Sequence, residues 1–188
     1  ATDDPLTERG RAEMERVIAQ AGPWDAVVSS PMQRCHAVAA AAAGARDLPL
    51  AVEPRFAEYD FGAWSGRALD DLWAEAGDAL AAFFADPDAV TPPGGETAAA
   101  FRARVRAGWA DLLAREAGRR VLVVAHGGVL RQLVADALGV TGSVFALLEW
   151  PTAALSRVRM FDDAGHCRTA TLAFHARTYP AAGTTGEP

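Results

Sequence analysis

Residues 121–128 read VLVVAHGG. Four consecutive apolar residues, bounded upstream by Arg119 and Arg120, have the pattern of a strand buried on both faces, as in a parallel sheet. The strand ends in His126, and Gly127 and Gly128 let the backbone turn sharply into a helical run from Val129 to Leu138. A ring nitrogen is thereby set at the carboxyl edge of a sheet beside a helix N-terminus, where α/β proteins place their ligands. Anion handling is one reading of this motif. A hydrogen-bonded turn histidine is the other, and only the rest of the chain separates them.

Apolar spacing predicts alternating helices and strands elsewhere. Thr7 caps a helix to about Ala21, stopped by Gly22 and Pro23. Ala26 to Val28 form a short strand ending in Ser29, Ser30 and Pro31; Ser30 is the expected N-cap of the next helix, with Pro31 as its first residue. Arg34 then lies about one turn into that helix, where its guanidinium can join the free amides at the helix start and grip a phosphate. A surface Arg is the plainer alternative, and His36 is incidental. A strand is expected at Leu50–Val52, followed by an aromatic loop of Phe56, Tyr59, Phe61 and Trp64 that contains Glu58. A carboxyl among rings has its pKa raised, which suits a general acid, whereas rings in the core would leave Glu58 exposed.

Helical spacing returns at Leu69–Ala76, with a further apolar patch at Leu80, Phe83 and Phe84. After a Pro- and Gly-rich loop, Glu96 and Thr97 open a longer helix to about Ala117, where Glu96 either complements the helix dipole or reaches a substrate. Ser156–Phe161 and Cys167–Phe174 read as two strands of a hairpin turning at 162–165, with His166 and His175 lacking partners at ligand spacing. Residues 1–176 are expected to form one domain, and 177–188 a loose tail.

A net charge of −6 argues against general binding to nucleic acid or anionic membranes, and the run Ala37–Ala43 is too short to span a bilayer. Cys35 and Cys167 have neither metal-ligand spacing nor a disulfide framework, so reduced thiols in a cytoplasmic protein are expected.

Five blocks stand in order along the chain: PLTERG at 5–10, SSPMQR at 29–34, EYDFGAWSG at 58–66, PPGGE at 92–96 and VLVVAHGGVLR at 121–131. Together they resemble the histidine phosphatase superfamily, with its phosphoglycerate-mutase-like fold. The short segment at 58–66 and the compact stretch to PPGGE look more like the alpha-ribazole phosphatases and related small phosphatases than the mutases. The resemblance implies an α/β fold, a mainly parallel three-layer α/β/α sandwich lacking its first strand. It implies catalytic roles for Glu58, as general acid, and His126; Arg34 and Gly127 would bind substrate, Arg34 and His126 lying against the phosphoryl oxygens. No metal and no cofactor are implied, and the partner would be a small phosphorylated substrate, with oligomeric state left open.

In that family the nucleophile is the His of an Arg-His-Gly motif upstream of the PLTERG block. No Arg-His pair occurs in these 188 residues. The expectation is therefore a piece of a phosphomonoesterase without its nucleophilic strand, itself aggregation-prone, domain-swapped or marginally stable. The alternatives are a catalytically dead phosphate-binding or interaction module, a mutase-like phosphotransferase, and, more weakly, a dinucleotide-binding domain, for which G-x-G-x-x-G is absent. Serine-hydrolase chemistry is disfavoured because G-x-S-x-G is missing.

Overall fold

The computed structural model describes residues 2–141, 148–162 and 168–179. The turn of the expected hairpin, with His166 and Cys167, and the chain beyond Tyr179 lie outside these.

Helix α1 (Glu8–Ala21) starts where expected, with Thr7 Oγ1 accepting the Gly10 N–H at 3.1 Å. It leads into β1 (Ala26–Ser29), α2 (Gln33–Gly44) and β2 (Leu50–Val52). Two short 3-10 turns, Pro54–Phe56 and Gly62–Trp64, carry the chain to α3 (Leu69–Ala85), which kinks at Ala76 between its two apolar patches. Helix α4 (Ala98–Arg115), β3 (Val121–Val124) and α5 (Gly127–Leu138) follow, and then the antiparallel pair β4 (Leu155–Asp162) and β5 (Arg168–Arg177). Strand β5 thus takes in Arg177, the first residue of the expected tail.

Strands β2, β1 and β3 form a parallel sheet in that order, with Ser29 level with both Val52 and Val124. Successive side chains of a strand point to opposite faces. Val27, Leu122 and Val124 accordingly pack with Ile18 and with Cys35, Val38 and Ala39 of α2, while Val28 packs with Phe56, Tyr59, Phe101, Val129 and Leu133. This is the expected three-layer α/β/α arrangement. One expectation needs correction: burial on both faces holds for all four residues of β1, whereas Val121 and Val123 of β3 are only partly buried. The reason is position, since among the described residues β1 has a neighbour on each side and β3 only one.

No helix among the described residues is long and apolar enough to cross a membrane.

Candidate active site

Because β1 and β3 are parallel and in register, Ser30 and His126 leave the same edge of the sheet side by side. Ser30 Oγ and His126 Nε2 are 2.7 Å apart, and Cys35 Sγ lies 3.7 Å from the same nitrogen. His126 is buried and occupies the N-cap of α5. Burial, with the nearby Arg34 and then Arg104 charges adding to it, holds its pKa down at about 4. The ring is therefore neutral at pH 7 and acts here as a hydrogen-bonding group. The same burial pushes the Cys35 thiol up to about 12, so Cys35 packs beside the ring as an inert neighbour.

Ser30 does not cap α2 as the sequence predicts. Its Oγ accepts the Met32 N–H at 3.3 Å in a local turn and faces His126, so the helix begins two residues after Pro31, with Met32 at its N-cap. Arg34 sits at the second helical position. Its Nη1 donates to the Thr2 carbonyl at 2.8 Å, and its charge acts on both Glu58 and His126.

Glu58 arrives from the aromatic loop. Phe56, Tyr59 and Trp64 are core residues, as the plainer alternative held, yet Glu58 is not left in open solvent. Its Oε1 accepts the Tyr59 N–H at 2.9 Å, and Oε2 stands 3.5 Å from the Gly128 N–H, at the start of α5. Burial raises its pKa, and the two backbone N–H groups followed by the Arg34 and Arg131 charges hold that rise back. A carboxyl whose pKa is raised in this way holds its proton more readily than an exposed one, which suits a general acid.

Glu58, Gly127, Gly128, Arg131, Phe61 and Phe84 line a cavity of about 230 Å³. A carboxyl, a guanidinium and the first turn of a helix converge there, with two rings completing the wall. Gly127 lies close under the Arg131 side chain: a Cβ on it would come within 2.9 Å of Arg131 Nη1, the end of a flexible side chain. Arg131 is anchored by its Nε to the Leu148 carbonyl at 2.6 Å.

Glu58 and Gly127 are thus brought together directly. His126 adjoins Gly127 in sequence, and Arg34 joins the cluster through its charge; neither lines the cavity. Ser30 and Arg131 are site residues that the sequence reading passed over, Ser30 because it looks like a cap. Arg131 lies one turn from Gly127 on the same face of α5, and that spacing was the signal available for it. Glu96, expected in the first turn of α4, lies before the N-cap Thr97 and pairs with Arg104 at 2.5 Å. His175 is engaged by Ser156 Oγ at 3.0 Å and the Glu149 carbonyl at 2.8 Å, away from this cluster. Among the described residues, no group of His, Cys, Asp and Glu is arranged to hold a metal ion.

A sequence model of the histidine phosphatase superfamily (branch 1) matches residues 1–172. The chain is 35% identical over 146 residues to a bifunctional protein of Mycobacterium tuberculosis, covering 78% of this chain and 40% of that protein. It therefore spans well under half the length of that relative. It is also 33% identical over 136 residues to an adenosylcobalamin/alpha-ribazole phosphatase of Salmonella typhimurium, covering 71% of this chain and 67% of that one. The crystal structure of the alpha-ribazole phosphatase from Shigella flexneri superposes with a TM-score of 0.77 at 26% identity, over 92% of this chain and 84% of that one.

Proposed function

Since the chain belongs to the histidine phosphatase superfamily, we propose that the complete protein hydrolyses a small phosphomonoester through a phosphohistidine intermediate. The observation that carries this reading is the Glu58 carboxyl, raised in pKa and set against the Gly128 N–H at the N-terminus of α5. A helix N-terminus favours phosphoryl oxygens, and Arg131 and Arg34 add the positive charge that they need. Gly127 admits the phosphoryl group close to the backbone, and His126 hydrogen-bonds it from the strand edge. Cations already in the protein do this work in the proposed site, with no metal called for.

The nucleophile is a His of an Arg-His-Gly segment upstream of the PLTERG block. Its ring nitrogen attacks phosphorus while the bond to the ester oxygen breaks, and Glu58 gives its proton to that oxygen. Glu58, now a carboxylate, takes a proton from the water that attacks the phosphohistidine, releasing inorganic phosphate and restoring both groups.

For the substrate, alpha-ribazole 5′-phosphate is the leading candidate. Two relatives carry that activity in their names, and Phe61 and Phe84 offer aromatic faces beside the cavity for the planar base of the leaving alcohol. A phosphate-binding module of the same fold, without turnover, is the reading against which this one is tested.

Reading the codons upstream of Ala1 in the same frame separates the two. An apolar strand ending in Arg-His-Gly supports the enzyme; a stop codon or unrelated sequence supports the module. The chemical test is to quench the full-length protein during turnover of a phosphomonoester and look by 31P NMR for an acid-labile, alkali-stable phosphohistidine. Turnover without that species would overturn the proposed intermediate.

A further inference from the structure

A charged pair, Arg104 and Glu96, stands beside the site. Arg104, on α4, directs its guanidinium at the backbone of the loop that carries Glu58. Nη1 donates to the carbonyls of Arg55 and Ala57, both at 2.7 Å, and Nη2 donates to the Glu58 carbonyl at 3.1 Å. Its remaining bonds go to Glu96, from Nε at 3.0 Å and from Nη2 at 2.5 Å. Glu96 in turn accepts the Asp60 N–H at 2.9 Å, donates its own N–H to the Asp60 carbonyl at 3.0 Å, and receives the Tyr59 hydroxyl on its carbonyl at 2.8 Å. The guanidinium also lies 5.0 Å from the centre of the Phe101 ring, itself fully buried.

A planar fork with five N–H groups can make all of these bonds together; the point charge of a lysine cannot. The bonds fall on residues 55, 57 and 58 from one partner and on 59 and 60 from the other, so both sides of Glu58 are tied. We propose that Arg104, oriented by Glu96, is the positioning residue of the general acid: it fixes the backbone at residues 55–58 so that the Glu58 carboxyl meets the Gly128 N–H inside the cavity. This rests on Glu58 being the acid. Arg104 is a positioning residue in this proposal: it holds the backbone of Glu58, while its charge also helps to lower the pKa of His126.

The test compares R104M, R104K and E96Q in the full-length protein on an alkyl ester, glycerol phosphate, and an activated aryl ester, p-nitrophenyl phosphate. An alkoxide needs the proton and a nitrophenolate does not. The expected result is a kcat loss on the alkyl ester about tenfold or more beyond the loss on the aryl ester, with R104K failing to restore it. In the E58Q background, R104M should bring no further selective loss, because the group that it positions is already gone. Equal losses on the two esters, or a selective loss that persists in E58Q, would overturn the proposal in favour of a purely structural ion pair.

A second readout needs no turnover. NMR titration of the Glu58 side-chain carboxyl, with the Gly128 amide shift, should move in R104M and E96Q; an unchanged titration in both would overturn the proposal. If R104M does not fold, E96Q carries both comparisons, since it weakens the clamp and leaves Arg104 in place. A failure of the phosphatase reading looks different: the unmutated protein turns over neither ester, or E58Q loses both equally, and the NMR result then decides the positioning role alone.

Discussion

His126 shows how burial changes what a residue can do. At pH 7 its ring is neutral, because its pKa is held at about 4 against an ordinary 6.5. The unfolded chain takes up a proton below about pH 6.5 and the folded chain does not until near 4. Stability from this group is therefore complete above pH 6.5 and is lost as the pH falls toward 4, by about 3 kcal/mol in all. Glu58, raised in pKa, contributes the opposite slope, so the difference between H126Q and the unmutated protein isolates His126. Urea melts from pH 4 to 7.5 should show H126Q losing less stability on acidification; parallel curves would contradict the neutral, buried ring. His126→Ala should also weaken inorganic phosphate binding about tenfold by calorimetry, the cost of one hydrogen bond to a charged group. Unchanged affinity would remove His126 from the site. The residue types of Glu58, Arg34 and His126 were legible from their motifs. Their pairings were not, because Ser30 Oγ faces across to the N-cap residue of α5, which is 96 positions away in sequence, and no local signal at a serine before proline tells a cap from a site contact.

Among the elements, the loop of Glu58 depends on the turn at 92–95. The two meet backbone to backbone: a Cβ on Gly95 would lie 2.4 Å from the Asp60 carbonyl oxygen, and one on Gly62, at φ +52°, would lie 2.2 Å from the Pro93 oxygen. Neither neighbour is a flexible side-chain end that could give way. Gly95→Ala should cost about 2 kcal/mol or more in denaturant melts and disturb Glu58 with it. Gly118→Ala is the control, at φ +75° with nothing within 4 Å, and should cost only the left-handed strain of about 1–2 kcal/mol. Equal, small costs at the two sites would show that the contact at Gly95 yields. Helices α1 and α4 and strands β1, β2 and β3 could be placed from apolar period, caps and Gly-Pro stops, since these signals are local. The clamp of Glu96 and Arg104 could not. It joins a turn, a helix and a loop, and on a sequence a Glu just before a helix reads as a dipole partner.

On the scale of the whole molecule, the sheet positions the chemistry and also exposes a weakness. All three parallel strands deliver their carboxyl ends to one edge, and the site stands there. Among the described residues, however, β3 pairs with β1 alone, and β4 pairs only with β5. The hairpin β4–β5 is tied to the rest chiefly by packing on α5. A parallel strand with an unpaired edge is a template for further pairing. Residues 1–188 prepared alone should self-associate in light scattering at micromolar concentration, and a sharp, monomeric unfolding transition in dilute solution would contradict this. Alternation of helix and strand made the α/β class and the layers legible. Strand order was not, because β1 lies between β2 and β3, so that β3 pairs with β1 and not with β2, the strand before it in sequence. The most direct test of the proposed chemistry is the kcat of the full-length protein and its Glu58→Gln variant on glycerol phosphate and p-nitrophenyl phosphate. With Glu58 as the acid, the variant loses about 100-fold or more on the alkyl ester and far less on the aryl ester. Equal losses on the two would show that Glu58 does not protonate the leaving group.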